Sequence, residues 1–220
     1  MSPVEPVQVF AESTPNPTVI KLITNRALLP GHLLEINRAN NFGLSPLGSR
    51  LLEFEEIISV MISNSFVSLT RQPHAEWSDL TAVLRDFMSH YLQSDLPIVD
   101  KALWEIHGSS LAIDASSTVV TRLENDGNES LGNHPVAGGF QRNPQIESKI
   151  EEILKDYIQP AVEQDGGAIQ FKSFNPESGL VKVVLRGACN GCPSASLTLK
   201  AGIENLLRRM VPEVKEVVAD

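Results

Sequence analysis

The only two thiols in 220 residues, Cys189 and Cys192, stand three positions apart in LRGACNGCPSASLTLK, residues 185–200. Such a pair can exchange with a disulfide or ligate a soft metal centre, because in both cases thiolate supplies the electron pair. Pro193 follows Cys192 directly. Proline at the first helical position predicts that Cys192 caps a helix and that Cys189 lies in the loop before it. The unpaired N–H groups of a helix start favour an anion, and hence thiolate, at that place. Gly187, Ala188, Gly191 and Ser194 are small, which predicts room around the sulfurs for a bulky group.

Zinc or a cubane iron–sulfur cluster ordinarily takes four protein ligands, and one copy of this chain supplies two sulfurs. His32, His74, His90, His107 and His134 show no ligand-like spacing and are read as surface or partly buried histidines. Two subunits would complete the set, with four thiolates around a centre on a twofold axis. A centre held that way is released by separating the subunits. Spacing alone leaves three uses open: metal or cluster binding, dithiol–disulfide exchange, and an inert buried pair. Against exchange, the strand before the motif reads as half of an antiparallel hairpin rather than part of a βαβ unit. Against inertness, a buried structural pair has no need of a glycine-lined helix start.

The elements that position the cysteines are legible from hydrophobic period. Ile146, Ile150, Ile153, Leu154, Tyr157 and Ile158 form a helical stripe, expected to stop at Pro160. AIQFKSF and LVKVVLR alternate with period two around NPESG, a hairpin signal that puts Val181, Val183 and Leu185 on one face and Lys182 and Arg186 on the other. After the cysteines, Leu199, Ile203, Leu206 and Met210 line a second helix ended at Pro212, and VKEVV reads as a closing strand. Residues 144–220 are therefore expected to form a small α+β domain of helix, hairpin, CxxC loop, helix and strand.

Residues 1–97 predict a second small mixed α/β domain. VQVFAES and TVIKLIT are strands around the Pro-fixed turn TPNPT, HLLEIN is a third, and IISVMISN and SFVSLTR follow. Ser45 and Pro46 read as the cap and first residue of a short helix, and Trp77, Leu80, Leu84, Met88 and Tyr91 recur at helical spacing. Residues 98–143 are rich in Gly, Ser and Asn and are expected to be a flexible linker that lets the two halves move independently.

Composition narrows the class. Apolar residues make up 42% and charged residues 20%, as in ordinary globular chains, and no apolar run approaches the roughly 18 residues of a membrane helix. Net charge is −9, with eight Lys/Arg against sixteen Asp/Glu in residues 1–140. Nothing forms a basic stripe that would track a phosphate backbone, so neither nucleic acid nor membrane is an expected partner. MSPVEPVQVFAEST has no secretory pattern and is not Arg-rich, so the cytoplasm is the expected location.

DGGAIQF and VKVVLRGACNGCPSASLTLKAGIENLLRRMVPEVKEV resemble the C-terminal domain of NifU, the Nfu-type iron–sulfur scaffold and carrier domain, over residues 146–218. ESTPNPTVIKLITNRAL, SPLGSRLLEF and NSFVSLTR resemble that family's N-terminal accessory domain over residues 7–94. The resemblance implies a non-enzymatic protein that carries a [4Fe-4S] cluster bridging two subunits, with Cys189 and Cys192 of each as metal and cofactor ligands. It implies a homodimer when cluster-loaded, with apo iron–sulfur client proteins and upstream assembly proteins as partners. Asp165, Gly166 and Gly167 would form a structural turn. A dithiol–disulfide oxidoreductase using Cys189 and Cys192, or a zinc-binding assembly adaptor, are the alternatives.

Overall fold

The computed structural model describes residues 6–41, 43–105, 113–114, 143–190 and 193–219, with the side chains of 113–114 and 193–197 left undescribed. The N-terminal unit is built on a six-stranded antiparallel sheet: β1 (Val9–Ser13), β2 (Val19–Thr24), β3 (His32–Asn37), β4 (Ile57–Ile62), β5 (Phe66–Arg71) and β6 (Ile113–Asp114). Their spatial order is β1-β2-β5-β4-β3-β6. Side chains alternate across a strand. Leu22, Val67, Leu69, Val60, Ile62, Leu34 and Ile36 therefore share one face, where α1 (Pro46–Leu51) and α2 (Trp77–Gln93) cover them with Leu47, Leu51, Leu80, Leu84 and Met88.

The short α1 depends on its cap. Ser45 is fully buried; its Oγ accepts the Gly48 N–H at 3.0 Å and donates to the Ile98 carbonyl at 2.6 Å. The same hydroxyl thus starts the helix and ties down the chain that leaves α2. Asp100 begins a single helical turn, α3 (Lys101–Leu103), and Leu103 and Trp104 pack on the core, Trp104 edge-on to His32. The segment read as linker from residue 98 is therefore ordered at its start, as part of the N-terminal unit. Its β6 residues also pair with β3. The rest of that segment lies outside the described residues.

The C-terminal unit opens with α4 (Pro144–Ile153), whose cap Asn143 accepts the Ile146 N–H at 3.4 Å. The helix does not stop at Pro160. One π-helical turn, Leu154–Ile158, widens the spiral so that Gln159 N–H bonds back to the Leu154 carbonyl, and Pro160 falls in the first turn of α5 (Gln159–Gln164). The proline has no N–H to leave unpaired, and it starts a new segment instead of ending the old one. The hairpin β7 (Gly167–Asn175) and β8 (Leu180–Gly187) follows, then α6 (Pro193–Met210) and β9 (Glu216–Ala219). Val181 and Val183 of β8 are fully buried against Ile150, Ile203, Leu207 and Val217, while Lys182 is exposed. β9 pairs parallel to β8. The strand before the cysteines therefore belongs both to an antiparallel hairpin and to a β8–α6–β9 crossover, so the expectation that it lies outside any βαβ unit is corrected.

The halves also touch. The second face of the N-terminal sheet lies against the C-terminal unit, with Leu33, Met61 and Phe66 buried around Ala168 of β7.

Replacing Ser45 with Ala removes both bonds and leaves the Ile98 carbonyl without its buried donor. Urea denaturation is expected to register a loss of about 2–3 kcal/mol.

Candidate metal centre

Cys189 lies in the turn after β8, with its N–H donating to the Arg186 carbonyl at 3.2 Å. It is 7% exposed and packs with Val162 and Leu185, flanked by Ile158, Ile169 and Leu199. The uncrowded setting expected of this thiol is corrected accordingly: the small residues around it let the loop fold in on its own hairpin. Gly167 makes this possible. A Cβ on Gly167 would lie 2.3 Å from Cys189 Sγ and 3.1 Å from the Arg186 carbonyl oxygen, so the first residue of β7 must be glycine for the sulfur to sit where it does. The double glycine of DGG thereby has a chemical neighbour, which its reading as a structural turn did not supply.

Cys192 and Gly191 fall outside the described residues, so the reading of Cys192 as helix cap and second ligand is not tested. The helix that follows does begin at Pro193 and runs 18 residues to Met210. Arg208 and Arg209 sit in its last turn, where they complement the dipole. Among the described residues, no group of three or more His, Cys, Asp or Glu is placed to hold a metal ion. His32 opens β3, His74 precedes α2 and His90 lies on α2 with Nδ1 2.7 Å from the Asp86 carbonyl oxygen, so all three belong to the N-terminal unit. His107 and His134 lie outside the described residues.

Residues from the other half complete the surroundings of Cys189. Asn16, in the turn between β1 and β2, is 5% exposed and donates from Nδ2 to the carbonyls of Asn190 at 3.0 Å and Ala188 at 3.3 Å. These two carbonyls bracket Cys189 in the chain. The Asn16 Oδ1 is occupied locally, accepting from the Thr18 N–H and hydroxyl, which fixes the amide's orientation. TPNPT is thus a strand-connecting turn, as its prolines indicate, whose asparagine also holds the cysteine loop. Glu35 of β3 pairs with Arg186 at 2.9 Å and accepts the Gly187 N–H at 3.4 Å. No sequence signal marks Asn16 or Glu35 for this role, since both partners lie about 150 residues or more away along the chain.

The comparisons with known proteins agree with this layout. Residues 8–95 match the family described as "Scaffold protein Nfu/NifU N terminal", and residues 150–218 match the NifU-like domain. The two matches take in more than two thirds of the chain. The chain belongs to the NifU/Nfu family. Its similar relatives include NifU-like protein 4, mitochondrial, of Arabidopsis thaliana, 29% identical over 95% of this chain and 64% of the relative. NFU1 iron-sulfur cluster scaffold homolog, mitochondrial, of Drosophila sechellia is 29% identical over 95% of this chain and 63% of its own length. NifU-like protein C1709.19c of Schizosaccharomyces pombe is 27% identical over 96% of this chain and 72% of its own. The chain therefore spans slightly less than two thirds of the plant and fly relatives. Those relatives are mitochondrial by name, which overturns the cytoplasmic expectation that a few N-terminal residues had carried.

Gly167→Ala forces either the Cys189 side chain or the hairpin to move, and an overpacked position of this kind is expected to lose about 1–3 kcal/mol in chemical denaturation. Gly202→Ala in α6 is the control: nothing lies within 4 Å of its Cβ, so stability should rise by up to about 1 kcal/mol.

Proposed function

We propose that the protein is an iron–sulfur cluster scaffold and carrier. Its cargo, a [4Fe-4S] cluster, is bridged between two subunits by the thiolates of Cys189 and Cys192 from each and is then passed to apo-proteins. The observation that carries this reading is the placement of Cys189 at the end of β8, one short loop before a long helix, within a domain of the NifU-like family. A chain with two soft ligands is half of a four-thiolate site. Supplying the other half from a second copy makes the cluster removable by subunit separation or by a client's own thiols. The chemistry asked of the protein is ligand exchange at iron, so no catalytic residue is assigned. Upstream assembly proteins and apo clients are the partners this role requires.

The β8–α6–β9 crossover favours one competing reading, because a CxxC at the start of a helix inside a βαβ unit is also the setting of dithiol–disulfide exchange. The two readings differ in what the purified protein does. Anaerobic reconstitution with iron and sulfide is expected to give a brown dimer with about four iron and four sulfide per dimer. Cys189→Ser and Cys192→Ser should each abolish colour and iron binding. A colourless monomer that keeps a defined two-electron thiol–disulfide potential under the same conditions would refute the carrier reading and support exchange.

A further inference from the structure

Register places Lys21, Ser68, Met61 and Glu35 in one line across β2, β5, β4 and β3, through the pairs Lys21–Ser68, Met61–Ser68 and Glu35–Met61. They lie on the sheet face opposite the helices. Every member of the line meets the C-terminal unit at the turn before β7 or at the end of β8. Lys21 Nζ donates to the Gln164 carbonyl at 3.1 Å, and Ser68 Oγ donates to the Gly166 carbonyl at 2.6 Å. Glu35 takes Arg186 and the Gly187 N–H. Met61 fills the space over Gly187, whose φ is +57° and where a Cβ would lie 2.7 Å from Met61 Cε.

Two features mark this contact as built. Lys21 and Ser68 are 7% and 1% exposed. A lysine buried on a sheet face is costly unless its charge is satisfied; here it has a carbonyl and, 4.8 Å below, the face of Phe66. The acceptors are backbone carbonyls of Gln164, Gly166, Ala188 and Asn190, so the N-terminal face reads the shape of the cysteine loop and the turn beside it. We propose that the N-terminal domain is an intramolecular cap on the cysteine loop. Docked, it covers the carbonyls on both sides of Cys189 and occupies the side from which another protein would approach. Undocked, it frees that side for a second copy or a client. That the capped loop is the cluster site rests on the reading above; the docking does not, and its test uses apo-protein without iron.

The test takes the full-length apo-protein and the double variant Asn16→Ala/Glu35→Arg, which removes the bonds to Ala188 and Asn190 and sets two positive charges together. Small-angle X-ray scattering reads docking, and alkylation of Cys189 by N-ethylmaleimide, followed peptide by peptide by mass spectrometry, reads shielding. The expected result is a larger radius of gyration and alkylation faster by about tenfold or more, since the lost contacts include a charge pair and two hydrogen bonds. Adding Arg186→Glu to Glu35→Arg in otherwise wild-type protein restores an ion pair of reversed polarity. This variant should return both readouts toward wild type, which separates undocking from misfolding. An unchanged radius in the double variant overturns the docking. A larger radius with unchanged alkylation overturns the shielding, because the thiol is then screened only by Gly167, Val162 and Leu185 of its own domain. Protection of wild-type Cys189 that disappears on dilution overturns the intramolecular cap in favour of one supplied by a second copy.

Discussion

In an antiparallel ladder each residue pairing fixes the next, so Lys21, Ser68, Met61 and Glu35 cannot be repositioned one at a time. A slip of one residue in any of these strands would turn its member of the line into the helix-covered core and bring an apolar residue such as Leu22 or Leu69 out to the C-terminal unit. The contact with the cysteine loop therefore inherits its precision from the core on the far side of the same sheet. Leu47 and Leu51 of α1, together with Leu84 and Met88 of α2, hold the strands in the register that the second face uses.

The C-terminal unit meets this rigid face with backbone. Gly166 and Gly187 bring main chain close to the N-terminal side chains, and Gly167 brings main chain close to the Cys189 sulfur. Successive short loops rich in glycine can offer carbonyls at close range because no side chain stands in the way. The thiol packs within its own domain, while the carbonyls on either side of it are held by Asn16 in the β1–β2 turn. A thiol so enclosed differs from the open loop that small residues suggest.

Family membership and geometry bear on different parts of the function. Membership in the NifU/Nfu family comes from two matches that cover both halves of the chain. The arrangement around Cys189 comes from packing within its own half and, at the carbonyls on either side of it, from Asn16 of the other. Carriage of a labile cluster asks for two properties that conflict within one chain: ligands soft enough to hold iron, and a site open enough to give it up.

Local pattern determined most of the elements. Period two located β2, β5, β7 and β8, period 3.6 located α2, α4 and α6, and Ser45 with Pro46 marked the start of α1, because each signal arises from residues within one turn or one strand. It misjudged Pro160, where a π turn absorbed the break, and the crossover to β9, whose parallel partner lies across a helix. The two cysteines were legible as residue types at a spacing, which by itself left metal binding, disulfide exchange and an inert pair open. What surrounds Cys189 was decided by the tertiary structure alone. Asn16, Glu35 and Lys21 are ordinary surface residues by sequence; Asn16 and Lys21 become buried and Glu35 partly buried, bonded to the cysteine loop, the end of α5 and the end of β8, only because two sheets formed from distant segments bring carbonyls and side chains within hydrogen-bonding range.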